Sequence, residues 1–148
     1  MKTCFLVIFT ALLLLLSING CFSQPSKTVI SSAFFTIDSK GVEFKLDPPL
    51  KRKYNSGSVH LKLVRGWEPL PPWTSIQLDD GRLVKLAVIL FTEDGQTFMA
   101  SIFEWTNGIL NARFEPEIPK EASITKVKIT ADVPLKCKRV VWSDYNAK

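Results

Sequence analysis

Two tryptophans in GWEPLPPW, residues 66–73, are the side chains of this chain best suited to binding chemistry. Trp67 and Trp73 flank a stretch stiffened by Pro69, Pro71 and Pro72, whose fixed φ angles lower the ordering cost of binding. An exposed indole can stack on the C–H face of a sugar or anchor a protein partner. The same two rings would also serve to plug the open end of a β-sandwich, and both readings stand at this stage. A second group is Lys85, Glu104, Asn111 and Arg113, which the strand pattern below places on one sheet face. Charged and amide groups on a rigid sheet, beside apolar surface, are what a polar ligand needs. A solvated ladder of surface ion pairs, worth about 0–1 kcal/mol each, accounts for them as well.

Other residues offer less chemistry. The single histidine, His60, alternates outward from Val59 and Leu61 and reads as a solvated strand residue. Cys137 alternates with Leu135 and Val141, and a buried strand thiol is inert packing, so a Cys137–His60 nucleophile is not expected. Asp79-Asp80-Gly81 and Glu93-Asp94-Gly95 lack the spaced oxygen ligands of a calcium loop and read as turns. No zinc spacing, phosphate-cradling glycine loop or serine elbow occurs. The chain is therefore expected to be noncatalytic, without cofactor or metal. Lys126 and Lys128 share one strand face, and Lys136 and Lys138 share the next. If the intervening VPL makes a hairpin, four ammonium groups line one face, as a solvated edge or as a surface for anionic polysaccharide or phospholipid headgroups.

The elements that must position these groups are strands. Short alternating apolar runs with turn residues between them predict strands over 34–37, 41–46, 58–63, 75–78, 82–91, 97–105, 109–114, 124–130 and 135–142. No window sustains helical spacing for three turns. Asp94-Gly95 and Asn107-Gly108 are strong two-residue hairpin signals. With two-residue turns, Phe91 faces Phe98 and Lys85 faces Glu104 in the first hairpin. In the second, Trp105 faces Leu110 and Glu104 faces Asn111. Alternation then puts Val84, Leu86, Val88, Leu90, Met99, Phe103, Trp105, Leu110, Ala112 and Phe114 in the core. A three-residue bulged turn at either place would break this register.

The start of the chain sets the compartment. Met1-Lys2 is followed by FLVIFTALLLLL (5–16) and then by small and polar residues, the layout of a secretory signal. Twelve residues rise only about 18 Å as a helix, too little for a hydrocarbon core of about 30 Å. Cys21-Phe22-Ser23 supplies small residues one and three places before a cut, so cleavage after Ser23 is expected. The alternative is a lipid anchor at Cys21, reached through Ile18-Asn19-Gly20. The expected organisation is a signal peptide over 1–23, a flexible lead-in over 24–32 and one β-sandwich domain over 33–148. The net charge of +5 is mild and too diffuse to argue for nucleic acid. No disulfide framework and no N-x-S/T sequon is present, which leans toward a bacterial cell envelope.

The stretch PKEASITKVKITADVPLKCKRVVWSDY (119–145) resembles the final strands of galactose-binding-like, discoidin-type jelly rolls. There a strand reading V-x-I-x-x-D precedes P-L-x-x-x-R-V-x-W. The resemblance covers the last quarter of the chain, and the cysteine pair that ties the ends of many such domains is missing here. It implies an eight-stranded sandwich that binds glycans, lipids or proteins through loops at one end, often with a structural calcium. No binding residue carries over. The expectation is thus an all-β, antiparallel jelly-roll sandwich of about eight strands, exported to the periplasm or secreted. Its expected role is a noncatalytic module recognising carbohydrate or a cell-envelope ligand. The alternative is a structural or assembly protein docking another subunit through an exposed sheet face.

Overall fold

Period-two alternation, which sends successive side chains to opposite faces of a strand, runs through most of this chain. The computed structural model describes residues 25–64, 66–70, 75–115 and 117–146. The expected signal peptide, its cleavage site and Cys21 lie outside the described residues. In chain order the strands are β1 (Ser26–Ser31), β2 (Phe35–Ile37), β3 (Val42–Lys51), β4 (Ser56–Leu63), β5 (Trp67–Leu70) and β6 (Ser75–Leu78). They continue as β7 (Leu83–Thr92), β8 (Thr97–Thr106), β9 (Ile109–Phe114), β10 (Ser123–Ala131) and β11 (Leu135–Tyr145).

Eight of them follow the order β1-β11-β4-β9-β8-β7-β10-β3, all antiparallel where they pair. The pairing is nested: β1 joins β11, β3 joins β10, β4 joins β9, and β7 joins β8. That is the wrapped double hairpin of a jelly roll, with sheets β1-β11-β4-β9 and β3-β10-β7-β8. The expected architecture is therefore present. Because β8 pairs with both β9 and β7, the two sheets join along one side into a nearly closed, barrel-like sandwich. The apolar sides of the strands meet inside, with Val59, Leu61, Val88, Leu90, Phe103, Leu110, Ile129 and Trp142 among the fully buried side chains.

Three strands lie off this path, and two of them shape the candidate site. β7 diverges along its length: Ile89–Phe91 pair with β8, whereas Leu83–Lys85 pair with β6, which in turn pairs with β5. The upper half of β8 therefore has β5 nearby but no ladder to it among the described residues, and a groove opens between them. The 66–73 stretch, where no strand was expected, contributes β5 itself. Pro69 is tolerated there because β5 is an edge strand, where a missing N–H breaks no ladder bond.

Several expectations are corrected. The lead-in is not flexible over its length: β1 pairs with the C-terminal strand from Ser26 to Ser31. Thr28, Val29 and Ile30 are β-branched and suit an edge strand whose exposed face disguises it as a polar tail. The first hairpin has the three-residue form, closed by Thr92 N donating to Gln96 O (3.0 Å), with Gly95 at φ +83°. Phe91 consequently pairs with Thr97, not Phe98; Lys85, where β7 has left β8, pairs with Ser75 of β6 and not with Glu104. Met99, expected in the core, is 60% exposed as a result. A shift of register between Ala100 and Ile102 then restores the inward parity of Phe103. Trp105 has that inward parity too, yet it is 56% exposed, because it projects at the hairpin tip beyond the packed core. The second hairpin keeps its expected register, with Glu104 opposite Asn111 and Trp105 opposite Leu110. Finally, β10 and β11 belong to different sheets, so the four lysines do not share a face; Lys126 and Lys128 instead flank Glu43 at 3.4 and 3.6 Å.

Candidate functional site

The groove between β5 and β8 encloses about 730 Å³ and is lined by Trp67, Pro69, Ile102, Phe103, Glu104, Trp105 and Thr106. Trp67, 8% exposed, forms part of its floor, and the exposed Trp105 ring stands at its mouth. Trp105 is carried there by the Asn107-Gly108 turn. Asn107 at φ +52° and Gly108 at φ +75° adopt the left-handed pair that matches the twist of a tight hairpin. Phe103, one pleat nearer the core, is buried and fixes the strand below the tryptophan.

Two polar side chains, Glu104 and Thr106, belong to the groove lining, and both are held by residues of the outer sheet face. Glu104 accepts a hydrogen bond from Arg113 Nη1 at 2.8 Å, and Asn111 Nδ2 donates to Thr106 Oγ1 at 3.0 Å. The bond to Glu104 raises the Arg113 pKa and holds the guanidinium charged. Glu104 also lines an adjoining basin of about 390 Å³ on the outer sheet face, shared with Asn111, Arg113, Ser58, His60 and Tyr145. Ser58 Oγ and His60 Nε2 are 2.8 Å apart there. Burial, and secondly the charge of Lys27, pull the His60 pKa below its ordinary value, so the ring is neutral at pH 7.

Of the six residues marked in the sequence, Trp67, Glu104, Asn111 and Arg113 come together around this groove and basin. Lys85 does not. Its backbone N donates to Asp132 Oδ1 at 2.8 Å, on the crossover that follows β10. Trp73 lies outside the described residues. Sequence reasoning missed Trp105, placed in the core by its pairing with Leu110. Its position just before a tight turn was the available signal, since a hairpin tip tends to project past the core. His60 was expected to be solvated but is half-buried. Cys137 faces the core while His60 faces outward, and burial pushes the thiol pKa up, so the two do not form a dyad. Among the described residues no cluster of three or more His, Cys, Asp or Glu side chains suits a metal, and no helix is long and apolar enough to cross a membrane. No family model, curated protein or solved structure matches this chain.

Proposed function

We propose that this chain is an exported, noncatalytic binding module that recognises carbohydrate in the groove between β5 and β8. The observation carrying this reading is an exposed indole, Trp105, beside two polar groups of the same groove, Glu104 and Thr106, which are held from the adjoining outer face by Arg113 and Asn111 respectively. A sugar presents an apolar C–H face and a ring of hydroxyls. The first suits an aromatic wall, and the second suits charged and amide groups already held in place by their own bonds. Such preorganisation lowers the cost of ordering the site on binding.

A glycan array followed by calorimetric titration tests the reading. Trp105→Ala should abolish binding of the best neutral glycan while leaving the melting temperature nearly unchanged. Retention of full affinity by that variant would overturn it. Trp67→Ala, by contrast, should cost about 3–5 kcal/mol of stability, because its ring is buried. A second reading has its own support. β5 and the upper half of β8 present strand edges to the groove with no ladder between them among the described residues, and such edges invite an added strand from a partner subunit. Size measurement on the purified protein separates the two, since a stable oligomer favours docking.

A further inference from the structure

The outer face of β1, β11, β4 and β9 holds another hollow, of about 190 Å³, which adjoins the basin at His60. Its lining carries three cations, Lys27, Lys62 and Arg139, and no carboxylate. Lys62 and Arg139 are direct cross-strand partners, an unfavourable arrangement for like charges. Among the described residues none of the three has a salt-bridge partner. Glu104, the acid of the adjoining basin, is engaged by Arg113. Val29, Val141 and Ile109 complete the lining as apolar walls. The sheet therefore presents uncompensated positive charge, apolar surface and a half-buried imidazole within one concavity.

We infer that this hollow binds an oxyanion carried on a ring, the carboxylate or sulfate group of an acidic sugar. An anion placed among Lys27, Lys62 and Arg139 gains charge-assisted hydrogen bonds, about twice as strong as neutral ones, and relieves the Lys62–Arg139 repulsion. The apolar walls accept the face of the ring. This hollow shares no residue with the groove between β5 and β8, so the two binding readings stand or fall separately.

The groups around the imidazole fix a pH dependence. The polar groups that share its two concavities are Lys27 from β1, Ser58 and Lys62 from β4, Asn111 and Arg113 from β9, Arg139, Ser143 and Tyr145 from β11, and Glu104 from β8. The free charge of that lining is positive, and burial first, then Lys27, disfavour a proton on His60. A bound anion reverses this influence, so binding takes up a proton and tightens as the pH falls toward and below 6.5.

His60 is the only histidine in the chain, so its ring proton resonances are an unambiguous reporter. The full mature protein is titrated at constant ionic strength with glucuronate, glucose, inorganic sulfate and inorganic phosphate. The inference expects a saturable imidazole shift with glucuronate, a raised imidazole pKa in its presence and no such shift with glucose. Lys62→Gln combined with Arg139→Gln should weaken glucuronate binding about ten-fold or more, and Trp105→Ala should leave it unchanged. Equal affinity for sulfate or phosphate and glucuronate would overturn the role given to the ring. A shift that never saturates, or that survives the double substitution, would show general screening by a basic surface and overturn the site.

Discussion

At the scale of single residues, the most demanding position is Gly57. A Cβ built there would lie 2.3 Å from Cζ2 of Trp142, and the Trp142 ring is itself buried in the core. Glycine is present so that the indole can lie against the β4 backbone. Gly57→Ala should therefore destabilise the protein by about 1–3 kcal/mol, the range for overpacking, as read by denaturant unfolding. The loss should shrink in a Trp142→Phe background, where the ring is smaller. His60 supports a second prediction. Its folded pKa lies below the ordinary 6.5 because burial, and then Lys27, disfavour the proton. As the pH falls through 6.5, the unfolded chain takes up a proton that the folded chain refuses, so stability drops on acidification. The melting temperature should fall between pH 7.5 and 5.5, and His60→Gln should flatten that slope.

Between elements, one clip fastens the loop after β3 to the end of β11. Arg52 and Asp144 are both buried, with Nε and Oδ1 3.7 Å apart. Arg52 donates from its two terminal nitrogens to the carbonyls of Ile118 and Tyr54, while Asp144 Oδ2 accepts from the backbone N–H groups of Lys53 and Tyr54. Removing one partner leaves a buried, uncompensated charge, so Asp144→Ala should cost about 3–5 kcal/mol by denaturant unfolding. A loss within 1 kcal/mol would show that water replaces the carboxylate. The sequence held no sign of this clip, because its members are distant in the chain and neither interrupts an apolar alternation. By contrast, β6 and β9 were legible to the residue, since alternation and flanking turn signals agree there. The two hairpins show where such legibility stops. Asn107-Gly108 forces a two-residue turn through two left-handed residues, whereas Asp94-Gly95 has only Gly95 left-handed and its loop takes in one more residue, Glu93. Asp94 Oδ1 accepts from Thr92 Oγ1 (2.5 Å), a side-chain bond that local pattern does not count. That single residue moved Met99 out of the core, while the divergence of β7 toward β6 separated Lys85 from the other site groups.

Over the whole molecule, the nested pairing of the jelly roll sets β1, near the start of the chain, against β11, near its end. This bears on how the chain would be processed under the proposed export. Cleavage after Ser23 would leave Gln24 and Pro25 before Ser26, where pairing with Asp144 begins. The edge of β11 would stay covered and the mature protein would be free of the membrane. Retention of Cys21 with a lipid would instead tie β1 to a bilayer through a linker of at most about 17 Å. Lys27, and with it the hollow around His60, would then be held close to the membrane surface, where anionic headgroups would compete for the site. The Cys21-Phe22-Ser23 spacing favours the cut, so the protein purified from its native host should have the intact mass of Gln24 to Lys148, or of that chain with its terminal glutamine cyclised. A diacyl or triacyl adduct on Cys21 would overturn this, and would make the headgroup the first ligand to test at the basic hollow.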